Sequence, residues 1–127
     1  MPIGPGLADV IYDGDKQDLS KSTNLAHMEI ALQVLDELRM LDSAIDQWAI
    51  KNHKNTGDHA TPNDLLAYVK QDTLLYKALQ DPTGPKDALG NPFGVFIVDD
   101  IPQVNRKTYY KLSDAVRDDF WTPFIGK

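Results

Sequence analysis

The chain has 127 residues, 42% of them hydrophobic and 25% charged, the composition of a single globular domain rather than of a disordered segment. A formal net charge of -6 argues against nucleic acid or an anionic membrane as partner, because phosphate binding needs a clustered basic face and the Lys and Arg residues here are scattered. Without cysteine there is no disulfide framework, no Cys-based zinc site and no thiol nucleophile.

The opening MPIGPGLADVIYDGDKQDLSK holds Pro2, Gly4, Pro5 and Gly6 and one short apolar patch, Leu7, Val10, Ile11 and Tyr12. Residues 1–21 are therefore expected to form an extended arm. Asp13, Asp15 and Asp18 invite an EF-hand reading, but that loop needs Gly at its sixth position and Glu at its twelfth, where Asp18 and Asn24 stand. No window approaches 18 consecutive apolar residues, and no basic and apolar leader opens the chain, so it is expected to be soluble.

From about residue 22 to 53 the sequence predicts one long amphipathic helix. Leu25, Met28, Leu32, Leu35, Leu38, Leu41, Ile45 and Trp48 recur at steps of three or four. Glu29, Gln33, Asp36, Glu37, Arg39, Asp42, Asp46 and Lys51 are assigned to the polar side, and Ser20, Ser22, Thr23 and Asn24 offer N-caps. Roughly 30 residues at 1.5 Å each would reach about 45 Å, longer than a small domain is wide, so the half bearing Leu25, Met28, Leu32 and Leu35 is expected to project as an uncovered apolar face unless the arm at Leu7 to Tyr12 folds back on it.

After a polar connector containing Gly57, TPNDLLAYVK carries the clearest local start signal. Thr61 is placed to cap, Pro62 to take the first helical position and Asp64 to reach back to the Thr61 amide. DTLLYKALQ, capped by Asp72, extends the helical region until Asp81, Pro82, Gly84 and Pro85 stop it. Gly90, Asn91 and Pro92 make a turn, and Val95, Phe96, Ile97 and Val98 form the one clear strand run. Tyr109, Leu112, Val116 and Phe120 favour a short helix in the tail, and WTPF closes the chain on aromatic packing. The fold class that follows is α+β: a long N-terminal helix packed on a small antiparallel sheet with additional short helices, in one domain over residues 22–127.

The search for chemistry yields no enzyme signature. His53 and His59 lie six apart in a connector, outside the usual zinc spacings. There is no G-x-S-x-G elbow and no glycine-rich phosphate loop. Asp99/Asp100 and Asp118/Asp119 are adjacent pairs whose side chains point apart, unlike carboxylates facing across a cleft.

Two stretches resemble the soluble part of type IV pilin-like proteins, including the pseudopilins of type II secretion. LRMLDSAIDQWAIKNHKNTGDHATPNDLLAYVK, 38–70, is similar to sequences in which a long helix ends in a D-Q-[WY]-A-x-[EK]-N run before a polar turn and a T-x-x-D-L capped helix. DALGNPFG, 87–94, resembles the D-x-x-G-N-P-[YF] turn that opens the pseudopilin sheet. The prepilin peptidase junction and the apolar helix half of the family are not in this sequence. The resemblance implies a non-enzymatic structural subunit of a pilus or secretion filament in the cell envelope, periplasmic or extracellular, anchored in the inner membrane before assembly when full-length. Its partners would be copies of itself or related subunits, met through Leu25, Met28, Leu32 and Leu35. The family's calcium loop makes Asp99 and Asp100 calcium candidates, with no other cofactor expected. The alternative reading is a soluble, cytoplasmic α+β protein-binding module whose acidic surface selects basic partners.

Overall fold

The computed structural model describes residues 15–125, with side chains from residue 25 onward. Helix α1, Asp15–Lys51, is followed by β1 (His59–Ala60), α2 (Pro62–Leu65), a 3-10 turn (Leu66–Tyr68), α3 (Leu74–Leu79), β2 (Phe96–Ile97) and α4 (Arg106–Leu112). The architecture is α+β, with a long N-terminal helix, a two-stranded antiparallel sheet and additional short helices.

The first helix is longer than the periodicity predicts. Its 37 residues correspond to about 55 Å at 1.5 Å each. The expected arm over residues 1–21 is corrected in part: the backbone is helical from Asp15, and Leu7 to Tyr12 lie outside the described residues. After Gly14 the run DKQDLSK contains neither Gly nor Pro, so nothing delays the helix until Ser22. Ser20, Ser22, Thr23 and Asn24 thus lie inside the helix rather than at its cap.

At its other end α1 stops at Lys51. His53 takes a left-handed backbone, φ 55°, while the N–H of Lys54 donates to Ala49 C=O and that of His53 to Ile50 C=O. That is a Schellman closure with His in the place usually held by glycine.

The Thr61 capping box forms as expected: Thr61 Oγ1 accepts from Asp64 N–H at 3.2 Å and an Asp64 carboxylate oxygen accepts from Thr61 N–H at 2.8 Å. Helix α3 is capped by Thr73 instead of Asp72, its hydroxyl oxygen accepting from Tyr76 N–H at 3.2 Å. Asn105 caps α4 in the same way, accepting from Lys107 N–H. Helix α4 ends at Leu112, short of Val116 and Phe120. Ser113 Oγ turns back to donate to Tyr110 C=O, a local bond that competes with helix continuation.

The strand run reduces to two ladder residues, His59 opposite Ile97 and Ala60 opposite Phe96. Val98 extends the pairing through its backbone, receiving from Gly57 N–H and donating to Asp58 C=O.

Two apolar clusters lie in sequence along α1. Leu41, Ala44, Ile45, Trp48 and Ala49 pack with Leu65, Val69, Leu75, Leu79, Phe96 and Val98 from the sheet and the short helices. Ala31, Val34, Leu35 and Leu38 pack with Val104, Leu112, Trp121 and Phe124. Phe93 touches both clusters. The tail therefore covers the middle of the helix, where helix length leads to the expectation of an open face, and Leu38 meets the tail cluster rather than the sheet. No described helix is long and apolar enough to cross a membrane.

Candidate functional site

The proposed subunit face divides. Leu25, Met28 and Leu32 are 64%, 41% and 52% exposed, whereas Leu35 is buried among Val34, Leu38 and the tail. Leu35 as an interface residue is thus corrected to a core residue. The cause is geometric. The eight apolar residues step by three more often than by four, so the stripe drifts around a 3.6-residue helix instead of running straight. At about 100° per residue, Leu32 lies roughly 120° and Leu25 roughly 140° around the axis from Leu38. The core face at that level belongs to Ala31 and Val34, both buried, which stand close to the azimuth of Leu38.

Beside Met28 the surface opens into a mainly apolar groove of about 370 Å³, lined also by Ala115, Val116 and Phe120 and edged by Asp114, Arg117 and Asp119. His27 Nδ1 lies 3.4 Å from Asp114 Oδ1, joining α1 to the loop that forms the groove's far wall.

The calcium candidates sit elsewhere. Asp99 and Asp100 line a groove of about 260 Å³ with Asp42 and Asp46 from α1, floored by Ile45, Ile97 and Ile101. Asp99 has a left-handed backbone, φ 64°, and accepts a short hydrogen bond from the Thr56 hydroxyl. Partial burial, with Asp46 as a smaller cause, raises the Asp42 carboxyl above the ordinary carboxylate range. Among the described residues no group of three or more His, Cys, Asp or Glu side chains is arranged to hold a metal ion.

A second polar assembly is not apparent from residue types. Glu37, assigned to the polar side, is 1% exposed. It stands three residues after Val34 and four and seven before Leu41 and Ala44, the spacing of one helix face, so its register rather than its chemistry carries the signal. One of its carboxyl oxygens accepts from Ala88 N–H at 3.0 Å. The neighbouring Asp87 is 6% exposed; its Oδ1 accepts from the N–H groups of Leu89 and Asn91, and its Oδ2 from the Thr108 hydroxyl at 2.6 Å. Gly90, φ 95°, makes the turn between them. Burial first, then the negative charges of Asp87 and Asp36, push the Glu37 carboxyl up to about 7 against the opposing effect of the Ala88 hydrogen bond. Glu37 thus fastens the turn to α1, and Asp87 fastens it to Thr108 of α4.

No family model matches the chain, and no solved structure does. The V-type ATP synthase alpha chain of Clostridioides difficile (strain 630) is 29% identical over 101 residues, which are 79% of this chain and 17% of that protein. The chain thus spans less than a fifth of the curated relative it matches, a likeness too partial to assign a family.

Proposed function

We propose that the chain is a non-enzymatic subunit of a pilus or secretion-type filament, acting by packing its long helix against copies of itself or related subunits. The observation that carries this reading is the exposed row Leu25, Met28 and Leu32, on a helix whose buried face is already filled by Ala31, Val34, Leu35 and Leu38. Apolar side chains at spacings of three and four, outside the core, suit a partner helix. The resemblance of 38–70 and 87–94 to pilin-like proteins points the same way, and on this reading the protein works in the cell envelope, periplasmic or extracellular.

Sedimentation of wild type and of the double substitution Leu25→Gln with Leu32→Gln tests it. Wild type should self-associate weakly as concentration rises, and the doubly substituted chain should remain monomeric with an unchanged melt. A wild type that stays monomeric at millimolar concentration, or a substituted chain that associates equally, would refute the proposed face. A substituted chain that unfolds would also count against it, because it would make Leu25 and Leu32 core residues.

A further inference from the structure

The buried Glu37 joins three parts of the fold through one turn. Ala88 N–H meets its carboxyl, Asp87 accepts from Thr108 of α4, and Asn91 Nδ2 donates to the same Thr108 oxygen at 2.9 Å. Asn105, the α4 cap, donates from its side-chain amide to Pro92 C=O at 2.9 Å. The turn at 87–92 is thus held by α1 on one side and by α4 on the other.

The charges that act on Glu37 are of one sign: Asp36 on its own helix and Asp87 on the turn, both acidic. From α4 and the tail the apolar cluster beside α1 receives Tyr109, Leu112, Val116, Phe120, Trp121 and Phe124, and no cation is among the charges that act on Glu37. No described salt bridge involves Glu37. An ionised carboxylate there has lost its water, has one backbone donor and faces a like charge. A protonated one keeps the Ala88 hydrogen bond without that repulsion.

We propose that Glu37 is a proton-operated clasp: protonated, it holds the 87–92 turn on α1; ionised, it weakens that hold and loosens α4, which Thr108 and Asn105 tie to the same turn. The carboxyl titrates near 7 in the folded chain against 4.5 for an unburied one. Because the folded value is the higher, the added stability is fully present below the unfolded value and is lost as pH rises through the folded one. Each unit of difference is a tenfold change, so the folding equilibrium constant should fall on the order of 10²-fold between pH 5 and 8 from this group alone.

Urea unfolding of wild type and Glu37→Gln across that range tests the clasp, since glutamine keeps an oxygen for Ala88 N–H and carries no charge. Every other ionisable group is common to both chains, so the comparison isolates Glu37. The wild-type constant should fall about 10²-fold further than that of Glu37→Gln. Amide exchange at Ala88 and Asn91, measured against Leu79 in α3, should accelerate more with rising pH in wild type than in Glu37→Gln. Parallel stability profiles, or equal exchange, would overturn the proposal. Should Glu37→Gln fail to fold, carbon-13 titration of the Glu37 carboxyl in wild type decides: a midpoint near neutrality supports the clasp, and one near 4.5 removes it.

Discussion

Thr108 on α4 donates its hydroxyl to Asp87 across 2.6 Å, a buried bond between residues 21 apart in sequence. Thr108 is fully buried and Asp87 nearly so, and the same hydroxyl oxygen accepts from Asn91. This bond makes the D-x-x-G-N-P-F turn a structural knot. Thr108→Val keeps the shape but leaves Asp87 one donor short and Asn91 without an acceptor, so it should cost about 1–3 kcal/mol, as unsatisfied buried groups do. Thr108→Ser restores the hydroxyl and should lose less. Urea unfolding of the two substituted chains checks the order; a serine loss as large as the valine loss would mean that the methyl group's packing matters as much as the hydroxyl's bonds.

Trp48 closes the other cluster. It is 6% exposed among residues of the sheet and the short helices, with Lys54 Nζ 5.4 Å from its ring centre. Trp48→Ala should cost roughly 3–5 kcal/mol, the range for large aromatic truncations in cores. Lys54→Ala removes only an exposed cation over the ring and should cost about 1 kcal/mol or less. Thermal melts separate the two, and a Trp48→Ala melt within error of wild type would place that face in solvent.

At the start of α2 the reciprocal hydrogen bonds of Thr61 and Asp64 make a quantitative statement about the cap. Thr61→Ala should lose about 1 kcal/mol, while Pro62→Ala should change little, because proline at the first helical position gives up no bond that the helix uses. Equal losses would mean that Pro62 holds this segment as a loop.

The parts of this fold legible in the sequence are those set by local chemistry. The Thr61 box, the Gly90 turn, the existence of α1 and the burial of Trp121 and Phe124 follow from residue types at short spacing. What is not legible depends on register over longer distances. A row of leucines hides a drift that moves Leu25 and Leu32 off the core face while Ala31 and Val34 take their place. Glu37 looks solvated by type and is buried by position, because its partner, the Ala88 amide, lies 51 residues away. Helix length leads to the expectation that Leu25, Met28, Leu32 and Leu35 lie uncovered; the first three are exposed, while Leu35 is buried under the tail.

Asp99 and Asp100 offer a separate test with calcium. An ion bound only by the folded chain would raise stability by about 2.7 kcal/mol at a hundredfold excess over Kd. The Asp99 carboxylate is already engaged by the Thr56 hydroxyl, and although Asp42 and Asp46 line the same groove, among the described residues no three acidic groups are arranged to hold a metal ion. Melts in millimolar calcium and in EDTA should superimpose, and a rise on adding calcium would restore the metal reading.

Leu32 and Leu35 sit three residues apart on one helix, and their exposures of 52% and 6% predict opposite behaviour. Truncating Leu35 opens a cavity between α1 and the tail cluster of Val104, Leu112, Trp121 and Phe124, and Leu35→Ala should cost about 2–5 kcal/mol. Leu32→Ala removes apolar surface that is already half in water, and as an exposed helical site it should shift stability by no more than about 0.5 kcal/mol. Alanine also has the highest helix propensity, so neither loss can be charged to the backbone. The two melts therefore measure where the core face ends. If both substitutions lower stability equally, Leu32 is packed against something in solution, and a concentration series of the wild-type melt would distinguish a second copy of the chain from a contact within it: only a contact between copies makes the transition temperature rise with protein concentration.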